Sequence, residues 1–305
     1  MKILFMGTPD FAVASLRALA EAGHELVGVF CQPDKPRSRM KVTACPVKEY
    51  ALDHEIPVFQ PEKLRDGEAM KTVEALAPEL IVVAAYGRIL PDEMLAYPKL
   101  GCINVHSSLL PKLRGAAPIN WAILNGERET GVTIMHMAHD LDAGDIILQR
   151  ATPIEPDETA RALYDRLAEL GGQLVTEAVD AIEQGTATRT PQDESKATLA
   201  PMLTRELSPM DFSRPAQALH DQVRGLCPWP AAVMELDGLR CKVLQTALTG
   251  ETTSKTPGSV VQADNKKGLK IACGDGKVLE LVTIQPDGKK AMLATAFLMG
   301  HPIKL

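Results

Sequence analysis

Asn104 and His106 stand two residues apart in Asn104-Val105-His106-Ser107-Ser108-Leu109-Leu110-Pro111, and Asp142 follows 31 residues after Pro111 in Leu141-Asp142-Ala143-Gly144-Asp145. On a strand, side chains two apart emerge on one face, so an uncharged amide donor and a titratable imidazole would point the same way. A carboxylate carried in by a later loop completes a set of parts for acyl transfer to an amine. One group holds an oxyanion, one moves a proton, and one orients and charges the imidazole. Such chemistry needs no nucleophilic Ser or Cys. Each residue has a plainer reading alone: a histidine near a strand end is commonly a hydrogen-bonded core residue, and Asp before Ala-Gly is a common turn carboxylate. The specificity lies in the combination, to which Ser108-Leu109-Leu110-Pro111 and the small-residue stretch Arg114-Gly115-Ala116-Ala117-Pro118 add.

The elements that position these groups read as alternating strands and helices. Lys2–Met6 is expected as a strand, Phe11–Ala22 as a helix, Glu25–Cys31 as a strand and Val47–His54 as a helix. Glu79–Ala85 is a continuous β-branched run, which suits a strand buried on both faces. Gly101–His106 is the next strand, Ala117–Asn125 a helix, Val132–Met137 a strand and Thr159–Ile182 one long helix. This pattern predicts a Rossmann-like, mostly parallel α/β sheet with helices on both faces, whose ligands gather beyond the carboxyl ends of the strands. Gly7-Thr8-Pro9-Asp10 occupies the place of a dinucleotide fingerprint but lacks its second and third glycines, so nicotinamide chemistry is not indicated.

After Gly185 the periodicity stops, and the polar stretch 190–206 reads as a linker between a domain at 1–189 and another at 207–305. Ser213-Arg214-Pro215 opens a helix with a Ser cap, running to Arg224. From Ala231, short strands alternate with Asp237-Gly238, Asn265-Lys266-Lys267-Gly268, Asp275-Gly276 and Asp287-Gly288, the pattern of a small antiparallel, OB-like β-barrel.

At 305 residues the chain has room for two cores, and 45% hydrophobic with 24% charged residues is the balance of a soluble globular protein. No run of about 18 apolar residues is present. The opening apolar stretch is broken by Gly7 and Pro9 too early for a signal-peptide core, so a cytoplasmic protein is expected. Six scattered cysteines, none in Cys-x-x-Cys spacing, read as buried free thiols. The net charge is −6, unevenly spread: residues 200–305 hold 13 Lys and Arg against 10 Asp and Glu, and residues 1–199 hold 20 against 29. A more basic second half hints at a division of labour, although ordinary variation between domains explains that count equally well. No metal is implied, because His106 and Asp142 lack a third ligand at recognisable spacing.

Along essentially its whole length the chain resembles the methionyl-tRNA formyltransferase branch of the 10-formyltetrahydrofolate-dependent formyltransferase superfamily. In the first half the resemblance rests on Gly7-Thr8-Pro9-Asp10-Phe11, Gln32-Pro33-Asp34-Lys35-Pro36, Pro57-Val58-Phe59-Gln60-Pro61, Ala85-Tyr86-Gly87-Arg88-Ile89-Leu90-Pro91 and the Asn104–Pro111 run. It continues through Arg114-Gly115-Ala116-Ala117-Pro118-Ile119, Glu129-Thr130-Gly131-Val132-Thr133-Ile134-Met135, Leu141–Asp145 and Pro228-Trp229-Pro230. The Asn-x-His-x-Ser-Leu-Leu-Pro pattern marks the superfamily, and the Arg-Gly-Ala-Ala-Pro and Pro-Trp-Pro segments narrow it to the branch acting on tRNA or its nearest relatives.

The resemblance implies that Asn104, His106 and Asp142 are the catalytic trio, that Ser108, Leu109, Leu110 and Pro111 bind the folate, and that Arg88, Ile89 and Leu90 frame its pteridine. The implied partners are 10-formyltetrahydrofolate as cosubstrate and initiator methionyl-tRNA. Arg37, Arg39 and Lys41 in a loop, with Lys266, Lys267, Lys289 and Lys290 on turns of the second domain, are the tRNA contacts to expect. Two departures stand out. Arg37-Ser38-Arg39-Met40-Lys41 keeps the basic character of the family loop that meets the acceptor end but not its glycine. Asp140-Leu141-Asp142 replaces the usual Gly-Leu-Asp, beside His139. The same trio would also serve formyl transfer to a small amine, such as glycinamide ribonucleotide or an amino sugar nucleotide, or folate hydrolysis with water in place of the amine. A non-catalytic RNA-binding protein on an enzyme scaffold fits poorly with an intact trio.

Overall fold

A computed structural model describes residues 1–38 and 41–303, with the backbone alone at 35–38, 41 and 42. The chain divides into two compact units, each assembled from three stretches: Met1–Gly115, Thr130–Thr152 and Tyr164–Ala200 in the first, and Ala116–Glu129, Pro153–Leu163 and Pro201–Leu305 in the second.

The first unit begins with β1 (Lys2–Gly7), α1 (Asp10–Glu21) and β2 (Glu25–Phe30), followed by a hairpin of β3 (Lys35–Ser38) and β4 (Lys41–Thr43). Then come α2 (Pro46–Asp53), β5 (Val58–Phe59), α3 (Glu68–Leu76), β6 (Leu80–Ala84), α4 (Asp92–Ala96), β7 (Cys102–His106) and β8 (Arg114–Gly115). After α5 (Pro118–Leu124), a member of the second unit, the chain returns as β9 (Glu129–His136), β10 (Ile146–Pro153), α6 (Ala160–Glu183) and β11 (Leu199–Ala200).

Seven strands form one sheet in the order β10-β9-β7-β6-β1-β2-β5. The apolar runs supply its centre: all five residues of β6 are buried, as its unbroken Leu-Ile-Val-Val-Ala sequence requires. Beside it, Leu4, Met6, Phe30, Tyr86, Leu90 and Met94 close one hydrophobic cluster. The pairs β1–β2, β1–β6, β2–β5 and β6–β7 are parallel, as expected. β9, however, runs antiparallel to β7, so the βαβ pattern fails at Val132–Met137. The helix between these strands packs on α7 (Ala216–Gly225) of the second unit, where Asn120 Nδ2 donates to Gly225 O at 2.8 Å. An antiparallel neighbour needs no crossover helix, so β9 can reverse.

In the second unit the strands β12 (Ala232–Leu236), β13 (Leu239–Thr252), β14 (Val260–Asp264), β15 (Gly268–Ala272), β16 (Lys277–Pro286) and β17 (Met292–Leu293) precede α8 (Ala294–Gly300). They pair antiparallel along the path β12-β13-β16-β15-β14, with β17 on β16. Among the described residues β12 and β14 do not pair, so the sheet does not close on itself. All four glycine-bearing turns fall between strands, and Asp237-Gly238 has positive φ at both residues (50° and 74°), the two-residue turn that matches strand twist. Leu236, Val243, Ile271, Leu281, Ile284 and Phe297 fill the core. The helix that opens after Pro215 is capped differently from expectation: its first N–H, at Ala216, donates to Asp275 Oδ1 at 3.2 Å, while Ser213 makes no cap.

Candidate active site

β7 ends on His106, and the alternation along it puts Asn104 and His106 on one face, paired across to Met135 and Thr133 of β9. His106 is buried, and its Nε2 lies 3.0 Å from Leu113 O. A carbonyl can only accept, so Nε2 carries the proton of that bond. Nδ1 is then the ring nitrogen left for proton chemistry, and it lies 3.6 Å from Asp142 Oδ2. That carboxylate is itself held: Oδ2 accepts Gly115 N at 2.8 Å. Among the described residues the Asn104 amide has no hydrogen-bond partner, which leaves its donors for a bound molecule.

The two loops that meet at this pair are tightly specified. Leu113 (φ 61°) and Asp142 (φ 49°) both sit in the left-handed region, unusual for a leucine and tolerated by an aspartate. Gly115 has φ 119°, and a Cβ there would lie 2.8 Å from Ala200 O, so only glycine brings this N–H to Asp142. Thr133, buried below, gathers the 108–111 turn. Its hydroxyl donates to Ser108 O (2.6 Å) and accepts from Leu110 N (3.2 Å) and Gln149 Nε2 (2.9 Å).

Residues 190–200, read from composition as part of a linker, have defined partners instead. Thr190 pairs with Ile146, and β11 adds to β8 as a parallel two-stranded ladder. Thr198 Oγ1 accepts Leu113 N (2.9 Å) and Gln192 reaches the Asp142 loop. Backbone ladders and single side-chain anchors hold this stretch without a hydrophobic face, so composition gives no hint of it. Leu113 O, Gln149, Gln192 and Thr198 carry no recognisable sequence signal for these roles; Gly115 and Thr133 fell inside segments of the family resemblance, without a sign of what they would hold.

β6 lies beside β7 in the register Ala84↔Val105, so the segment after β6 leaves the sheet next to Asn104 and His106. Gln32 Nε2 ties Tyr86 O at 2.9 Å, and Arg88 Nη1 donates to Pro61 O and Glu62 O (3.0 and 2.6 Å). Leu90 points into the core, whereas Ile89 is 72% exposed. His139 pairs with Asp92 at 3.1 Å, which raises its pKa through that hydrogen bond and the charge of Asp92. His136 is on the other face of β9 and is held below its ordinary value mainly by burial. Of the basic residues, Lys266 and Lys267 lie on the exposed β14–β15 turn and Lys289 and Lys290 on the β16–β17 turn, where Lys289 Nζ is 3.2 Å from His301 Nε2. Arg39 lies outside the described residues, as do the side chains of Arg37 and Lys41.

Among the described residues an imidazole, a carboxylate and an amide without a hydrogen-bond partner meet at the carboxyl end of the sheet, a set of parts that could serve the transfer of an activated acyl group. Comparison narrows the class. Residues 1–179 match the formyl transferase family model and residues 202–302 match the model for the formyl transferase C-terminal domain. The chain belongs to the formyl transferase family. It is 48% identical over 304 residues to methionyl-tRNA formyltransferase of Bacillus subtilis (strain 168), covering 99% of this chain and 96% of that protein. It is 45% identical over 305 residues to methionyl-tRNA formyltransferase of Geobacter sulfurreducens, covering 100% of this chain and 95% of that one. Among solved structures it resembles WlaRD, a sugar 3N-formyl transferase (TM-score 0.71, 20% identity, 95% of this chain and 99% of that one). It likewise resembles an N-formyltransferase from Helicobacter canadensis (TM-score 0.70, 21% identity, 94% and 99%).

Proposed function

We propose that this protein transfers the formyl group of 10-formyltetrahydrofolate to the α-amino group of initiator methionyl-tRNA in the cytoplasm. The observation that carries the reading is similarity at 45–48% identity along the full chain, through both units, to methionyl-tRNA formyltransferases.

In the proposed reaction the methionyl amine attacks the formyl carbon, a C–N bond forms, and the carbonyl oxygen becomes an oxyanion. Asn104 and a protonated His106 donate to that oxyanion, each such donor contributing roughly 3 kcal/mol. The bond from the formyl carbon to N10 then breaks, and the proton lost by the amine ends on N10. Asp142, beside Nδ1 of His106, is assigned to relay that proton through a bound water. Ser108–Pro111 and Arg88–Leu90 are assigned to the folate because they leave neighbouring strands β7 and β6 at the same end of the sheet. The second unit is read as a partly open OB-like barrel, a reading supported by the register shifts that bend the long β13, and its turn lysines are assigned to tRNA phosphates together with Arg37, Arg39 and Lys41.

The test supplies purified protein and 10-formyltetrahydrofolate with methionyl-tRNA, free methionine, glycinamide ribonucleotide or a dTDP-amino sugar. Formylation of methionyl-tRNA alone is expected. Formylation of one of the small amines in its place would overturn the choice of acceptor.

A further inference from the structure

Gln192 sits between the two stretches that match the family models, in residues 180–201, and outside the trio. Its amide is fully used. Nε2 donates to Asp142 O at 2.7 Å and to Gly144 O at 2.8 Å, on either side of the Asp142-Ala143-Gly144 turn. Oε1 accepts from Arg114 Nε (3.1 Å) and Nη2 (2.7 Å), and the same guanidinium is forked onto Glu194 at 2.6 and 2.9 Å. Arg114 in turn precedes Gly115, whose N–H holds the Asp142 carboxylate.

The turn has little freedom of its own to hold this place. Asp142 is in the left-handed region, and Gly144 passes so near His136 O that a Cβ there would lie 1.8 Å from it. Two carbonyls of such a turn, facing inward, need a donor each. Gln192 supplies both from one nitrogen and is itself fixed by a buried arginine. Six residues further on, Thr198 fixes Leu113, whose carbonyl holds the other nitrogen of the His106 ring. Both sides of the 3.6 Å gap between His106 and Asp142 are therefore set from one strap, residues 190–200.

We propose that Gln192 is a positioning residue for the reaction: clamped by Arg114, it sets the Asp142 carboxylate against Nδ1 of His106. This rests on the formyl-transfer reading of the site. An error of about 1 Å in a catalytic group costs on the order of a hundredfold in rate, so loss of the clamp reaches the chemistry without touching substrate.

The test compares the full-length protein with Gln192→Ala and Gln192→Glu. The glutamate keeps an acceptor for Arg114 but offers carboxylate oxygens to two carbonyls that need donors. It holds the strap and releases the turn. Thermal melts establish folding; kcat and KM are then measured across pH, and ring 15N signals of His106 report the protonation of Nδ1 without any turnover. Both variants are expected to lose roughly tenfold to a hundredfold in kcat at unchanged KM for 10-formyltetrahydrofolate, with a displaced pH profile and altered ring signals. Should Gln192→Ala fail to fold, the glutamate variant decides. A folded variant with the normal kcat, profile and ring signals would overturn the assignment, and so would a fall in kcat with the profile and ring signals unmoved. If the unaltered protein forms no formylmethionyl-tRNA, the acceptor assignment fails, while the ring signals still decide the role of Gln192.

Discussion

The roles proposed for Asn104 and His106 rest on a difference in how satisfied the two side chains are. His106 is locked by Leu113 O and faced by Asp142, whereas Asn104 has no partner among the described residues. Replacing either with alanine is expected to lower the rate of formyl transfer about a hundredfold with donor binding little changed, because in the proposed mechanism each acts on charge that develops only in the transition state. Single-turnover kinetics beside equilibrium folate binding checks this, and near-normal turnover in either variant would remove that residue from the mechanism. Tyr86 makes a different kind of prediction. Its hydroxyl is buried and without a hydrogen-bond partner among the described residues, and burial pushes its pKa from 10.0 up to about 12. A folded-state pKa raised in this way gives stability that is whole below pH 10 and is lost as pH climbs toward 12, since the unfolded chain ionises first. Tyr86→Phe removes an unpaired polar atom from the core, so it should gain about 1–3 kcal/mol and flatten that alkaline loss. Urea titrations at neutral pH and above pH 10 measure both.

Elements carry much of what the sequence made legible, and they also show where it stopped. The buried run of β6, the end of β7 and the four glycine turns follow from local chemistry: continuous apolar side chains, alternation, and positive φ. The shared face of Asn104 and His106 was legible because both lie on one short strand, and Asp142, on a later turn, comes within 3.6 Å of His106. By contrast β9 reverses because of where the preceding helix packs, and the 190–200 strap is held by long-range hydrogen bonds, neither of which leaves a periodic trace. The helix α7 illustrates the energetic side. Arg224 and Asp221, one turn apart and both buried, pair at 2.8 Å, and Arg224 Nη1 also donates to Glu158 O at 3.1 Å. Arg224→Met strands a buried carboxylate and should cost about 3–5 kcal/mol, whereas adding Asp221→Leu should recover part of that loss, because the pair as a whole contributes little over an apolar substitute. Denaturant melts of the single and double variants test the difference.

At the scale of the whole molecule the question is how a protein of net charge −6 would bind a polyanion. Local clusters rather than net charge would have to do so. Changing Lys266, Lys267, Lys289 and Lys290 to glutamine should weaken methionyl-tRNA binding and make its salt dependence shallower by about one unit of slope for each phosphate no longer neutralised, with folate binding intact. An unchanged salt slope would take these turns out of the interface. Neutralising Arg37 and Arg39 should lower transfer more than binding, because a residue that places the acceptor end acts on orientation. Substitution is a cleaner instrument here than truncation, since removing residues 207–305 would strip α7 from beneath α5.

The interleaving of the two units has a consequence for how the molecule comes into being on the ribosome. The first unit includes the pairing of Leu199–Ala200 with Arg114–Gly115, and the second includes Ala116–Glu129 and Pro153–Leu163, made long before the rest of it. A nascent chain of about 190 residues would hold His106 and Asp142 yet lack the strap that sets their spacing. On the proposed role of that strap, catalytic competence would be a late event in synthesis, and the two units are poor candidates for exchange between genes by a single cut, because neither is a continuous length of chain.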